Sequence, residues 1–278
     1  MNQRRRSGAP RKSGLGRSTT GTVEDDHEPS GTTPERSDHG VARTAPKASR
    51  RKRRTAPMVE TEELEKSYGD IVALAEIDLE VPTGEAVVLV GHNGSGKSTL
   101  LGMLAGTLEV TGGSASIAGN PPDSVEARRA RSWLPDNPVL YDDLTVDEHL
   151  SYVSRLHGGP GQGGRIDELI ERLGLSERRD DLPSQFSRGL RQKTAIAVAL
   201  CRPFELLLVD EPFVGLDAQG RETMLELLAE AAADGATLMV ATHDPQVIDQ
   251  FDRGLVLSNG ELVADCEASA LHDHLPSN

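Results

Sequence analysis

The chain has 278 residues, 36% hydrophobic and only 3% aromatic, with a formal net charge of −14. Two cysteines, Cys201 and Cys266, exclude a disulfide scaffold and cannot by themselves build a structural zinc site. No run of 18 apolar residues occurs, which excludes a membrane-spanning helix.

The charge divides the chain. Residues 1–57 carry 14 Lys/Arg against 6 Asp/Glu, whereas residues 58–278 carry 16 against 38. Apart from Met1, the first segment has only Leu15, Val23 and Val41 as aliphatic side chains larger than Ala. So little apolar surface cannot offset chain entropy, and residues 1–57 read as a disordered basic tail. Its run Arg50-Arg51-Lys52-Arg53-Arg54 suits a solvated extension or contact with anionic lipid heads. No apolar stretch follows Arg4-Arg5-Arg6, so that triplet is not read as an export signal. Residues 58–278 hold every Phe, Tyr and Trp and suffice for a sizeable core. Their acidity disfavours nucleic acid as the main partner.

Two alternating segments, 58–66 and 71–81, read as strands. Ala86-Val-Val-Leu-Val90 is continuous and β-branched, the pattern of a strand buried on both faces of a parallel sheet. It leads into Gly91-His92-Asn93-Gly94-Ser95-Gly96-Lys97-Ser98-Thr99 and then an apolar helix. Strand, glycine-rich loop and helix start are the context in which G-x-x-x-x-G-K-[ST] binds nucleotide phosphates. Backbone N–H groups and the helix dipole face the anion, Lys97 reaches the β- and γ-phosphates, and the Ser98 hydroxyl ligates Mg²⁺.

Further on, 146–157 and 166–173 carry helical periodicity, separated by a glycine cluster at 158–164 that reads as a flexible connection. Ser187-Arg188-Gly189-Leu190-Arg191-Gln192 precedes an Ala/Val/Leu helix expected over 193–200, and Ser187 alone would be a good helix cap. Leu206-Leu-Leu-Val-Asp210-Glu211 is a buried-strand pattern delivering two acids at its C-terminal end, where open α/β sheets bind ligands. Asp210 would hold Mg²⁺ through water, and Glu211 would polarise the attacking water. A strand-like run at 236–240 precedes Thr242-His243-Asp244.

In this order and spacing the motifs over 58–265 resemble those of the ABC-type ATPases, the nucleotide-binding subunits of ATP-binding-cassette transporters. The resemblance implies an α/β fold: a P-loop NTPase core sheet with an antiparallel β lobe and a helical subdomain inserted at 137–186. It implies that Tyr68 stacks on adenine and that Ser187 and Gly189, in the signature segment, meet the γ-phosphate held by a second subunit. Asp217, after Gly215-Leu216, falls in the D-loop, and His243 is the switch histidine at the γ-phosphate. ATP and Mg²⁺ are then the ligands. The dimer is a head-to-tail homodimer, and an integral membrane permease is the partner, docked near 136–150. The chain would sit in the cytoplasm against the inner face of the membrane. An alternative is a soluble ATPase of the same type that drives assembly or remodelling.

Two positions depart from the pattern. Asp136 stands where the family usually has the Q-loop glutamine; a carboxylate there can contact Mg²⁺ or its water but cannot donate as an amide does. Arg188 stands where the signature usually has glycine. Both resemble the branch serving ABC-2-type export permeases. The 96 residues from Gly91 to Ser187 leave no room for the long coiled coil of chromosome-maintenance relatives.

Overall fold

The computed structural model describes residues 56–158, 163–248 and 250–273, which lie within one compact unit, Lys52–Asn278. The readings for residues 1–55 and for the glycines at 159 and 161 fall outside the described residues. In chain order the strands are β1 Val59–Tyr68, β2 Ile71–Val81, β3 Ala86–Val90, β4 Gly112–Ile117, β5 Arg131–Leu134, β6 Leu206–Asp210, β7 Thr237–Ala241, β8 Arg253–Ser258 and β9 Glu261–Glu267. The helices are α1 Lys97–Leu104, α2 Val125–Ala130, α3 Val146–Leu156, α4 Gly163–Arg172, α5 Arg188–Leu200, α6 Ala218–Ala233 and the short α7 Pro245–Ile248.

The larger sheet has the order β5-β6-β7-β3-β8-β9, parallel except for β9, which pairs antiparallel with β8. Apart from Thr237 at the start of β7 and Asp210 at the end of β6, its central strands β6, β7 and β3 are apolar, because each face feeds a separate core. Val88, Val90, Leu207, Val209 and Val240 enter one hydrophobic cluster. Val87, Leu89, Leu206, Leu208 and Met239 enter the other. A strand covered on both sides cannot alternate with polar residues, which is why these runs were readable.

The smaller sheet, β2-β1-β4, is antiparallel. The two expected strands are present, with β1 running on to Tyr68. The third, β4, escaped the sequence pattern because Gly112-Gly-Ser-Ala-Ser-Ile117 has one large apolar residue. A bulge in β1 shifts the register between Thr61 and Leu64 and puts Glu63 at φ 46°. Facing it, Gly113 has φ 69°, and a Cβ there would lie 2.1 Å from the Glu63 carbonyl oxygen. Only glycine fits that crossing.

The helical part consists of α3 and α4 packed on α5. Thr145 caps α3 through a reciprocal box with Glu148. The expected helix at 166–173 starts earlier, at Gly163, so the end of the glycine cluster is helical. The helix expected over 193–200 also begins earlier: α5 starts at Arg188, which places Gly189 to Gln192 inside the helix and Ser187 at its cap. A good cap and straight-chain residues propagate the helix through a segment that reads as polar loop. No helix among the described residues is long and apolar enough to cross a membrane.

Candidate nucleotide site

The phosphate loop leaves β3 at the centre of the large sheet. Gly91 has φ 155°, and a Cβ on it would lie 2.2 Å from the Leu257 carbonyl oxygen. Gly96 has φ 108° and is the N-cap of α1, with no side-chain cap. The first N–H groups of α1 are therefore left for an anion. The Lys97 side chain is buried. Its ammonium donates to the carbonyls of Gly91 at 2.8 Å and His92 at 3.3 Å and lies 4.0 Å from Glu211 Oε1.

A cavity of about 390 Å³ lies over this loop. Asn93 to Thr99 line it, together with Asp136, Glu211 and Ile71, Val72 and Ala73 of β2. Asp136 thus lines the same cavity as the phosphate loop. A larger open groove beside β2 and β9, about 700 Å³, carries Glu65, Glu76, Asp78 and Glu261 and no basic residue, so it repels phosphate.

Asp210 does not line the cavity but stands next to Glu211, which does. It is buried at the end of β6, accepts a hydrogen bond from Ser98, and has its Oδ1 buried without a partner. Burial, and then the charges of Glu211 and Asp136, push its carboxyl above the ordinary value, against the pull of Ser98 and Lys97. No group of three His, Cys, Asp or Glu forms a cage among the described residues. Magnesium does not need one, because it is held by one or two carboxylates plus phosphate oxygens and water. The orphaned Asp210 oxygen beside the Ser98 hydroxyl fits that donor set.

Glu211 stands one residue beyond β6 with φ 46°, a strained conformation for a non-glycine residue. Its amide donates to the Ala241 carbonyl at 2.9 Å, and its Oε2 lies 2.9 Å from His243 Nδ1. The structure therefore joins Glu211 and His243 directly, 32 residues apart in sequence.

Ser187, Gly189 and Asp217 line no part of this cavity. They form a second cluster. Ser187 Oγ accepts from the Leu190 amide at 3.3 Å and caps α5. Asp217 caps α6, accepting from Gly220 N at 2.8 Å, and pairs with Lys193 at 3.0 Å; the Gly220 bond first, then Lys193, hold its carboxyl below the ordinary value. A Cβ on Gly189 would lie 2.6 Å from the Gly215 carbonyl oxygen. The buried Gln192 donates to the Pro212 carbonyl at 3.1 Å, tying this cluster to the residue after Glu211. Tyr68 is 51% exposed, its ring 4.9 Å from Lys66 Nζ. It does not line the cavity, but it pairs in register with Ile71, which does.

Sequence reasoning missed Ile71 and Val72 as cavity lining; their signal is apolar side chains at the exposed start of a strand. It also missed Gln192, Lys193 and Arg221, whose contacts depend on folding across the chain.

A buried parallel strand, an uncapped helix behind a glycine loop, and a neighbouring strand ending in two acids define a P-loop nucleoside triphosphatase. Residues 74–214 match the family described as ABC transporter, and the chain belongs to that family. It is 34% identical over 213 residues to an uncharacterized ABC transporter ATP-binding protein, YdbJ, of Bacillus subtilis, covering 75% of this chain and 69% of that one. It is 35% identical over 207 residues to the rat phospholipid-transporting ATPase ABCA3, covering 73% of this chain but only 12% of that protein. Among solved structures, an ATP-binding subunit of an ABC transporter matches with a TM-score of 0.73 at 32% identity, covering 78% of this chain and 92% of that one. A dimeric bacterial ABC transporter cassette matches with a TM-score of 0.70 at 28% identity, covering 76% and 99%.

Proposed function

We propose that this chain binds and hydrolyses ATP as half of a two-fold dimer and couples the cycle to a separate membrane permease. The observation that carries the reading is the Glu211–His243 contact at 2.9 Å, set beside Lys97 and the phosphate-loop cavity. The phosphates of ATP would lie on the amides of Gly94 to Ser98 with Lys97, and Tyr68 would stack on adenine. Ser98, Asp210 and Asp136 would hold Mg²⁺, which neutralises phosphate charge. Glu211 would orient water for in-line attack, and His243 would contact the γ-phosphate and keep Glu211 in place. Most of the rate acceleration would come from positioning and charge stabilisation.

Separation of the two clusters supports dimer function. Ser187, Gly189 and Asp217 lie outside the cavity of their own subunit, so each would complete the site of a second copy, and a two-fold arrangement closes both sites. Val139 and Tyr141 are 94% and 55% exposed in the 136–150 region, which supports permease docking there. The pair Asp136 and Arg188 supports outward transport. Peripheral attachment to the membrane, with the basic tail near anionic lipid, follows from the same reading.

The decisive experiment is Glu211→Gln. The variant is expected to bind ATP, lose turnover and accumulate as an ATP-bound dimer on size-exclusion chromatography. Hydrolysis at the wild-type rate would remove Glu211 from the mechanism. Recovery of a polytopic membrane protein with the tagged chain only in mild detergent supports transport; soluble partners alone would favour assembly or remodelling.

A further inference from the structure

The His243 side chain is 70% exposed, and its hydrogen bond to Glu211 is made from a segment that lies outside the sheet. An exposed imidazole on a loop has rotamer and backbone freedom, so something must hold the segment. On one side Thr242 is buried and anchored to β3 through its amide and the Leu89 carbonyl, at 3.1 Å. On the other side stands Asp244. Its amide donates to Thr242 Oγ1 at 3.1 Å, its carbonyl accepts from Val247 at the start of α7, and its carboxylate is ion-paired with Arg221 of α6.

Arg221 does more than pair with Asp244. Its guanidinium also lies over the Phe213 ring, 5.3 Å from the centroid. Phe213 follows Glu211 by two residues and Asp244 follows His243 by one. A single guanidinium thus braces both backbones whose side chains meet in the Glu211–His243 bond. Its own amide donates to the Asp217 carbonyl at 3.0 Å, in the first turn of the helix that Asp217 caps. Movement at the Asp217 end of α6 is therefore carried by one rigid helical turn to the brace.

We propose that Arg221 is a positioning residue for ATP hydrolysis: through Asp244 and Phe213 it holds His243 against Glu211, and through α6 it ties their alignment to the seating of Asp217 at the dimer face. This rests on the ATPase reading above. The Arg221 side chain makes these contacts with Asp244 and Phe213, away from the phosphate loop, Lys97 and Ser187. ATP binding and dimer formation should persist while chemistry slows, because a misplacement of about 1 Å costs on the order of 100-fold in rate.

The test uses the full chain. Arg221→Met keeps apolar packing over Phe213 and removes the charge; Asp244→Asn removes the partner charge; Arg221→Lys restores charge without the planar fork. Turnover, the KM for ATP and thermal melting are measured for each. ATP-dependent dimerisation is measured with Arg221→Met added to Glu211→Gln. Arg221→Met and Asp244→Asn are each expected to lower kcat by about 10- to 100-fold with KM within about 2-fold. The Arg221→Met/Asp244→Asn double variant should be no slower than the worse single, because both substitutions break one link. Arg221→Lys should recover part of the rate, and the Glu211→Gln dimer should form as before. An unchanged kcat in Arg221→Met would overturn the proposal. So would fully additive effects, or a parallel loss of KM, dimer and melting temperature, which marks a structural role. A wild-type chain that neither hydrolyses ATP nor forms a trapped dimer in Glu211→Gln would overturn the ATPase reading, and this proposal with it.

Discussion

The phosphate-loop end of the site and the signature end carry similar polar groups in opposite states. At the first, the Ser95 Oγ and Asp210 Oδ1 atoms are buried without partners, and α1 starts on a glycine with no side-chain cap. At the second, Ser187 and Asp217 are occupied as helix caps, Asp217 is paired with Lys193, and Gln192 is bonded to Pro212. On the proposed reading, a half-site that takes its ligand alone leaves polar groups unsatisfied beside it. On the same reading, a half-site that would act only on another subunit's ligand has nothing of its own to bind and satisfies itself locally. Capping and the proposed nucleotide contact are compatible for one hydroxyl: Ser187 Oγ accepts from the Leu190 amide, which leaves its proton available to a phosphate oxygen.

Ser187→Ala breaks this comparison most sharply. Loss of the cap should cost about 1 kcal/mol of stability. Loss of the donor to the second subunit's phosphate should slow turnover by about 100-fold, or about 2.7 kcal/mol. ATP binding by the monomer should not change, because Ser187 does not line its own cavity. Equilibrium nucleotide binding at protein concentrations too low for dimer formation, compared with steady-state turnover, separates the two effects. If monomer binding fell as far as turnover, the two ends would not be independent half-sites.

The same division explains what was legible in the sequence. The phosphate loop, β3 and β6 were readable because their signal is contiguous: a doubly buried run, then the glycine loop or the two acids. Glu211 and His243 were readable as candidates, but their 2.9 Å contact was not, since it depends on β6 and β7 lying side by side. The start of α5 was misplaced because a good cap extends a helix through polar residues. The strand β4 was invisible because Gly113 is needed to pass the Glu63 bulge and neither of its glycines adds to an apolar pattern. The brace at Arg221 had no local signal at all, since its partners lie 8 and 23 residues away and on other elements.

Gly189→Ala sharpens the comparison at the signature end. In a free helix this change would gain about 1 kcal/mol. Here the added methyl would lie 2.6 Å from the Gly215 carbonyl oxygen, a backbone atom that can retreat only with the segment leading to Asp217. Overpacking of this kind costs about 1–3 kcal/mol, so the net expectation is a loss of about 1 kcal/mol in a urea melt, together with slower turnover. A stabilised variant would show that the glycine is kept for its contact with the second subunit and not for packing within this one.

The smallest effect is expected where the helical part meets the core. Arg172 of α4 reaches Glu230 at 2.7 Å and Glu226 at 3.1 Å on α6, besides Glu168 on its own helix at 3.1 Å. The partners are 44–56% exposed, so Arg172→Gln should cost under about 1 kcal/mol and less still in high salt. The Arg172 hydrogen bond holds the Glu230 carboxyl below its ordinary value of 4.5. A carboxylate with a depressed folded value stabilises above its unfolded value and loses that contribution as pH falls through the folded one. The melting difference between wild type and Arg172→Gln should therefore be largest near neutral pH and shrink as pH drops below 4.5. A cost of several kcal/mol, indifferent to salt and pH, would mean that Arg172 holds α4 on α6 by packing its stem and not by charge. The helical part would then be fixed to the core as firmly as the sheet strands are to each other.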